Sequence, residues 1–376
     1  MMILKPVLLA WHNIFLLLVG LAGLTLLVVL HEFGHFLFCK VFKIHTPSFS
    51  IGFGPVLASR QIGGTLFKLC AIPLGGYVEM AGAAEVGQGE QLEAHRTDQD
   101  SFVSKPYYQK LLVMFGGILA NLLFAYAAFI IICTAGFPKQ PVPTIRAIIA
   151  DSAAARYGLQ ERDTIVAINN VSIDQDVEKL INLYQPLPKQ EITVTVERNT
   201  QRMEVPLVLD EKLVAGKAIG SLGVEFDFVE LPAQSFVSAI QDGIAKTNKN
   251  IIATLSVFKV LITKDGINNL VGPIGIISLA SQGAAQGIKV LLLLLAIISI
   301  NLAVLNLLPL PILDGGQILF YTIEAIIGKP LSPRVREYIH IATWLMLLAL
   351  FVYLSTKDLL RIIKPYLESV GKLIGR

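Results

Sequence analysis

The chain has 376 residues, of which 54% are apolar and only 16% charged, and its formal net charge is +3. Soluble domains carry about a quarter charged residues, so the deficit predicts membrane-embedded segments, and the length allows two or three structural units. The small charge, with no basic aromatic platform, excludes nucleic acid as a partner; Cys39, Cys70 and Cys133, scattered and without CxxC spacing, exclude a disulfide framework and a thiolate metal cage and are expected as buried thiols.

In chain order, MMILKPVLLAWHNIF has one early lysine and no small-residue cleavage site, so it is expected as an uncleaved membrane helix rather than a signal peptide. Spans long and apolar enough to cross a bilayer, roughly 20 residues each, fall near 13–38, 111–137, 288–308 and 338–354. Residues 1–140 form the first half of a membrane domain and 286–376 the second, and four spans put both termini on one side.

Inside the first span, LTLLVVLHEFGHFLFCK (24–40) carries His31, Glu32 and His35. A charged side chain at bilayer depth costs on the order of 3 kcal/mol, so it needs a reason. HExxH on a helix puts both imidazoles on one face, able to reach a single ion, with Glu32 beside it. Zinc suits two neutral imidazoles plus an oxygen ligand with one position left for water, and Glu32 is placed to take that water's proton.

Residues 48–80 are glycine-rich, with two extended runs about Gly63-Gly64 that predict a β-hairpin. Its apolar tips suit partial entry into the membrane region, tolerated only against protein or a wet cavity. Residues 83–104 read as a polar loop with Glu85, Glu90, Glu93, Asp98 and Asp100.

From 141 to 228 the composition is that of a soluble module: runs PTIRAII, DTIVAINN, EITVTVE and MEVPLVL alternate with a helical patch, DVEKLINLY, as in a partly open β-barrel. Residues 229–285 connect it to the third span; Phe236, Ile240, Ile244, Ile251, Leu255, Phe258 and Ile262 predict an amphipathic helix interrupted near 248–250.

The end of span three, NLAVLNLLPLPILDGGQ (301–317), supplies a candidate for the missing oxygen ligand. Pro309 and Pro311 lack N–H groups and must open the helix. Asp314 follows, before Gly315-Gly316, which allow a sharp turn; it is either a plain turn residue or the third ligand of the ion. The Asn306 amide can hold a peptide or developing oxyanion, or bond another helix, the reading taken first for Asn121 and Asn301. His12, His45, His95 and His340 read as interface or surface histidines. Basic residues in the first loop (Lys40, Lys43, Arg60, Lys68, Arg96, Lys105) and the last loop (Lys329, Arg334, Arg336) narrowly outnumber those of the C-terminal tail, favouring a cytoplasmic first loop.

With HEFGH in a span, FSIGFGP, IPLGGYVEM, VGPIGI (271–276) and NLLPLPILDGG, the sequence resembles the site-2 protease family, the intramembrane zinc metalloproteases, and within it the bacterial regulator of sigma-E protease branch. The resemblance implies zinc held by His31, His35 and Asp314, Glu32 as the catalytic carboxylate and Asn306 at the substrate. It implies that the hairpin is a membrane-reentrant element pairing with an unwound substrate strand; a hairpin that merely covers the site is the alternative.

The module at 141–228 is similar to a PDZ domain through SAAARYGLQERDTIVAINNVSI, although Arg162 stands where the family pattern has Gly, and one such domain occupies the place of two in the close relatives. The expected fold is therefore a polytopic α-helical membrane protein of about four transmembrane helices, with a membrane-associated β-hairpin and an extramembrane PDZ-like α+β domain.

The expected activity is cleavage of transmembrane segments of single-pass proteins, such as anti-sigma factors or remnant signal peptides. The expected place is a bacterial inner membrane, with the active site toward the cytoplasm, the PDZ-like domain outside and a peptide or protein partner for that domain. The alternative is a non-proteolytic metal-binding membrane protein, a divalent-ion carrier or a PDZ-bearing scaffold.

Overall fold

The structure, a computed structural model, describes residues 4–83, 93, 95–214, 217–261 and 270–374; Glu85, Glu90 and Ile262 lie outside the described residues. The chain divides into two compact units, Met1–Thr134 with Ser235–Arg376, and Ala135–Gln234. It begins with α1 (Leu4–Val41), β1 (Ser48–Ile62), β2 (Thr65–Val78) and α2 (Tyr107–Ala135). The second unit contributes β3 (Gln140–Ile148), α3 (Ala153–Arg156), β4 (Thr164–Ile168), β5 (Val171–Ser172), α4 (Val177–Tyr184) and β6 (Glu191–Arg198). It continues with β7 (Gln201–Val208), β8 (Asp210–Val214), β9 (Lys217–Ser221) and β10 (Val224–Val229). The chain then returns to the first unit as α5 (Phe236–Leu261), α6 (Pro273–Ala285), α7 (Ile288–Asn306), α8 (Asp314–Ile327) and α9 (Pro333–Ile374).

Among the described residues, four helical stretches are long and apolar enough to cross a membrane: Trp11–Val41, Tyr107–Ala135, Ile288–Asn306 and Arg334–Arg361. They coincide with the four expected spans. Large apolar side chains such as Phe15, Leu18 and Leu37 on α1 and Leu345, Phe351 and Val352 on α9 are exposed. In water, such area costs about 25 cal/mol per Å²; a lipid surround removes that cost.

Between the helices the contacts are tight. Leu27 of α1 is buried with Leu291 and Leu295 of α7, while Cys39, Val113, Met114 and Phe102 form a second core beside Tyr321. All three cysteines are buried, and among the described residues none is in a disulfide. The VGPIGI segment opens α6, whose first N–H groups, of Gly272 and Gly275, donate to the Asp358 carboxylate of α9 at 3.2 and 2.7 Å.

The connecting helix α5 is continuous, in contrast to the interruption expected at 248–250. The polar residues there are satisfied without breaking it. Asn248 Oδ1 accepts from the Tyr126 hydroxyl at 2.6 Å, and the Asn250 amide donates to the Lys246 carbonyl one turn back at 2.9 Å.

The hairpin turns where expected, with Gly63 and Gly64 at φ +55° and +84° and Ile62 opposite Thr65. Both central residues at positive φ match a type I′ turn. Each strand then bends back on the other. Ser48 to Ile51 lie opposite Leu66 to Leu69 on one side, and Phe49 to Ile51 lie opposite Val78 to Gly76 on the other. The result is four short segments in the order 58–62, 65–69, 48–51, 76–78. Phe36 of α1 packs its ring on Phe49 and Phe67, at 5.5 and 5.6 Å between centroids, fixing the sheet against the helix one turn beyond Glu32.

Of the acidic residues expected after the hairpin, the described ones gather on one cation: Arg96 pairs with Glu93, Asp98 and Asp100 at 3.0, 2.8 and 3.0 Å.

In the second unit β3, β4, β6, β7 and α4 fall on the segments expected from alternation and helical patterning. The sheet runs β10-β3-β4-β6-β7 with β5 beside β4, and β8 pairs β9 separately. Ile192, Val194 and Val196 alternate inward from β6 onto Ile145, Ile165, Leu180 and Leu207. Strands β8 and β9 were not among the expected ones, because DEKLV and KAIGS lack a clean apolar alternation; β10, VEFDFV, alternates and was also not among them.

Arg162 occupies the left-handed region at φ +71°, where a non-glycine residue costs about 1–2 kcal/mol. Its N–H donates to Ile145 at 2.7 Å. The next residue, Asp163, is fully buried and takes both a two-pronged bond from Arg198 (2.7 Å each) and the Gln160 N–H.

Candidate metal centre

His31 and His35 share one face of α1, and their Nε2 atoms stand 3.1 Å apart. Asp314 comes from the far end of the chain. Helix α7 stops at Asn306, the Pro309–Pro311 segment is non-helical, and Asp314 opens α8, where a carboxylate suits the positive helix end. Its Oδ2 is 3.3 Å from His31 Nε2 and its Oδ1 3.5 Å from His35 Nε2.

Gly315 and Gly316 make no sharp turn, as the sequence had suggested; they lie within α8. Their lack of a side chain matters for another reason. A Cβ on either would run into the backbone of Leu307, Leu308 or Leu310, so the glycines let the proline-broken segment fold down onto the helix start.

The tautomers decide what this triad can hold. His35 Nδ1 sits 2.8 Å from the Val113 carbonyl, which can only accept, so its proton is on Nδ1 and a lone pair is on Nε2. On the other ring, the Asn121 amide nitrogen lies 3.4 Å from His31 Nδ1, while the Asn121 oxygen is buried without a hydrogen-bond partner among the described residues. A half-turn of the amide brings that oxygen onto an Nδ1–H and satisfies both groups. Asn121 thus touches the site rather than merely joining helices, as had been expected; Asn301 does the latter, accepting from Thr254 at 2.9 Å.

With both Nδ1 atoms protonated, two nitrogen lone pairs and a carboxylate converge. Asp314 Oδ2 is itself buried without a hydrogen-bond partner among the described residues. Such an array repels itself unless a cation lies between. His31, His35 and Asp314 are the one such group among the described residues, their ligand atoms within 4.8 Å of one another. Two imidazoles and a carboxylate with a further position open are the donor set that zinc takes in catalytic sites. The residues fit that ion.

Three glycines that sequence reasoning passed over bring the helices together. A Cβ on Gly34 would meet the Gly116 carbonyl, and one on Gly117 would fall 2.6 Å from His31 Cε1 and closer still to His35 Nε2. The available signal was a Gly-Gly pair inside an apolar span, the mark of close helix approach.

Glu32 reaches the sheet, where its Oε2 accepts the Val78 N–H at 3.2 Å. Val78 belongs to the outer segment, 76–78, so the sheet edge and this carboxylate are adjacent. Asn306 ends α7 with its amide nitrogen 3.5 Å from His31 Nε2. All five residues line one cavity of about 600 Å³, shared with Met114, Gln317, Arg336 and His340. His340 is therefore no surface histidine. His45 pairs with Glu93 at 3.5 Å.

Comparison with known proteins agrees with this chemistry. The family model described as "Peptidase family M50" matches residues 19–350. A Nostoc sp. protein named "Putative zinc metalloprotease all3971" is 32% identical over 368 residues, spanning 95% of this chain and 99% of the relative. "Membrane metalloprotease ARASP, chloroplastic" of Arabidopsis thaliana is 29% identical, spanning 91% of this chain and 78% of its own. "Probable protease eep" of Enterococcus faecalis is 27% identical, spanning 89% and 96%. On the strength of that near full-length match, the chain belongs to peptidase family M50, the site-2 proteases, and is a zinc-dependent membrane protease.

Proposed function

We propose that this protein cuts peptide bonds within or beside the transmembrane segments of single-pass membrane proteins, with His31, His35 and Asp314 holding the zinc and Glu32 as the catalytic carboxylate. The observation that carries the reading is the convergence of the two Nε2 lone pairs and the Asp314 carboxylate, 3.1 to 3.5 Å apart, beside Glu32. Zinc, when bound, supplies a Lewis acid that activates water and polarises a carbonyl.

The remaining work falls to the chain's own groups. Val113 and Asn121 hold the imidazoles in the ligating tautomer. Glu32 accepts a proton as the attack on the carbonyl begins and returns one to the leaving amine. The Val78 N–H keeps its carboxylate oriented between the centre and the sheet edge. Asn306 offers an amide to the substrate carbonyl.

A helical substrate has its carbonyls already bonded, so it must unwind before it can be cut. The outer segment 76–78 is suited to receive the unwound strand, because among the described residues no further strand pairs beyond it and it lies beside Glu32. Thr25, midway along the span Trp11–Val41, hydrogen-bonds the Pro73 carbonyl, which supports a hairpin that dips to membrane depth. There the bent strands satisfy each other, as backbone in lipid must.

The module at 141–228 is read as PDZ-like, a binding site for a peptide or protein partner. The reading extends to a bacterial inner membrane with the centre toward the cytoplasm and this module on the outer side. Anti-sigma factors and remnant signal peptides are the proposed substrates.

The experiment is mass spectrometry of a co-expressed single-span substrate with intact protein and with Glu32→Gln. Cleavage is expected to fall by more than about 100-fold while zinc content stays stoichiometric. Cleavage at the original rate would overturn the proposal, and zinc uptake into cells that survives the change would favour a carrier.

A further inference from the structure

Arg336 and His340 lie four residues apart on α9, hence on one face, and line the cavity that contains His31, Glu32, His35 and Asp314. Neither has a part in the mechanism above. The Arg336 guanidinium is held against two rings, its Cζ 5.4 Å from the Phe320 centroid and 5.2 Å from that of Tyr321. Its Nε and Nη2 atoms are buried without a hydrogen-bond partner among the described residues. Glu324 stands 3.7 Å from Nη2, beyond hydrogen-bond reach, and its Oε1 already accepts the Leu331 N–H at 3.0 Å. Lys110, over the Tyr321 ring at 5.6 Å, adds a second cation, so positive charge is in excess around Glu324.

His340 follows the same pattern. The Gln317 amide nitrogen gives one hydrogen to the Pro311 carbonyl at 2.6 Å and lies 3.3 Å from His340 Nε2. Its second hydrogen goes to that Nε2, so the proton of the neutral ring sits on Nδ1, which is also buried without a partner among the described residues. A buried donor left without a partner carries its full desolvation penalty, larger when the donor is charged. Of the cavity's other carboxylates, Glu32 accepts the Val78 N–H, and Asp314 stands 3.3 and 3.5 Å from the two imidazoles as the third member of the metal-ligand set.

We propose that Arg336, with His340 beside it, is a substrate subsite for a carboxylate: the side chain of an Asp or Glu on the polypeptide close to the bond that is cut. The inference rests on the protease reading. A guanidinium presents parallel N–H groups that match the two carboxylate oxygens, which a lysine cannot do. A lipid phosphate offers similar oxygens, but this cavity also contains the cleavage residues, and the polypeptide has to enter it.

The test is a panel of single-span substrates in which one Glu or one Gln is walked through the residues flanking the cut. The panel is assayed with intact protein, Arg336→Gln and Arg336→Glu. The intact protein is expected to cut the Glu form about tenfold faster than the Gln form at one position, a charge-assisted bond of about 1.4 kcal/mol. Arg336→Gln should bring that ratio to one, and Arg336→Glu should prefer Lys at the same position.

A ratio that survives Arg336→Gln, or no positional preference in the intact protein, overturns the subsite. So does a loss in Arg336→Gln that follows the anionic lipid content of the vesicles instead of the substrate sequence. Binding of the same peptides to Glu32→Gln protein reads the preference without turnover. Peptides bound with the Glu preference but never cut by intact protein would sink the protease reading and spare the subsite.

Discussion

The Nε2 atom of His35 faces Oδ1 of Asp314 across 3.5 Å, with the imidazole proton committed to the Val113 carbonyl on the far side of the ring. A histidine so bonded meets a carboxylate with a lone pair rather than a proton. The contact is therefore repulsive by itself and becomes favourable when a cation joins the two.

Asp314→Asn keeps the shape of the side chain and removes its charge. Loss of an outer-shell partner alone weakens metal binding by about 10–100-fold, so loss of this carboxylate is expected to weaken zinc binding by more than about 100-fold. Elemental analysis of purified protein against a chelator series measures it. Stoichiometric zinc retained at the affinity of intact protein would remove Asp314 from the ligand set.

Gly117→Ala tests the helix approach. The added methyl would press on both imidazoles, at 2.6 Å from His31 Cε1. Overpacking of this kind costs about 1–3 kcal/mol, and here the yielding groups are the ligands. Zinc content should drop while helical circular dichroism is retained. Gly34→Ala meets backbone at Gly116 instead, so its main effect should be a lower unfolding temperature.

Asn121→Leu fills similar volume without an acceptor for the His31 Nδ1–H. The ring then loses its fixed tautomer, and zinc affinity should fall about 10–100-fold. Titration with a competing chelator reads this directly. An unchanged affinity would mean that the Asn121 amide serves only packing.

The second unit has its own weak point. Arg198→Gln leaves the buried Asp163 carboxylate with the Gln160 N–H but without its two-pronged partner. Removing one member of a buried pair costs about 3–5 kcal/mol. Limited proteolysis of the full chain should then cut within Ala135–Gln234 well below the temperature at which intact protein is cut. At Arg162, held at φ +71°, Gly is expected to stabilise by up to about 1 kcal/mol.

Much of this molecule was legible in one dimension. Local rules act on neighbours: the four apolar spans, the Gly63-Gly64 turn, the alternation of Ile192, Val194 and Val196, and the four-residue spacing of His31 and His35 all depend on residues close in the chain. Pro309 and Pro311 announced the break that frees Asp314 for the same reason.

Local rules also misled. Asn248 and Asn250 looked like breakers, yet bonds to Tyr126 and to the preceding turn keep α5 intact. Gly315-Gly316 looked like a turn but gives clearance to the Leu307 to Leu310 backbone.

What only the tertiary structure decided is which distant atoms meet. The bond of Asn121 to His31, the clearance at Gly117, the Val78 N–H on Glu32 and the position of Arg336 and His340 in the cavity each join segments far apart in sequence. Side-chain polarity is written in each residue, but the partner that satisfies it is chosen by packing, and packing is a property of the folded chain as a whole.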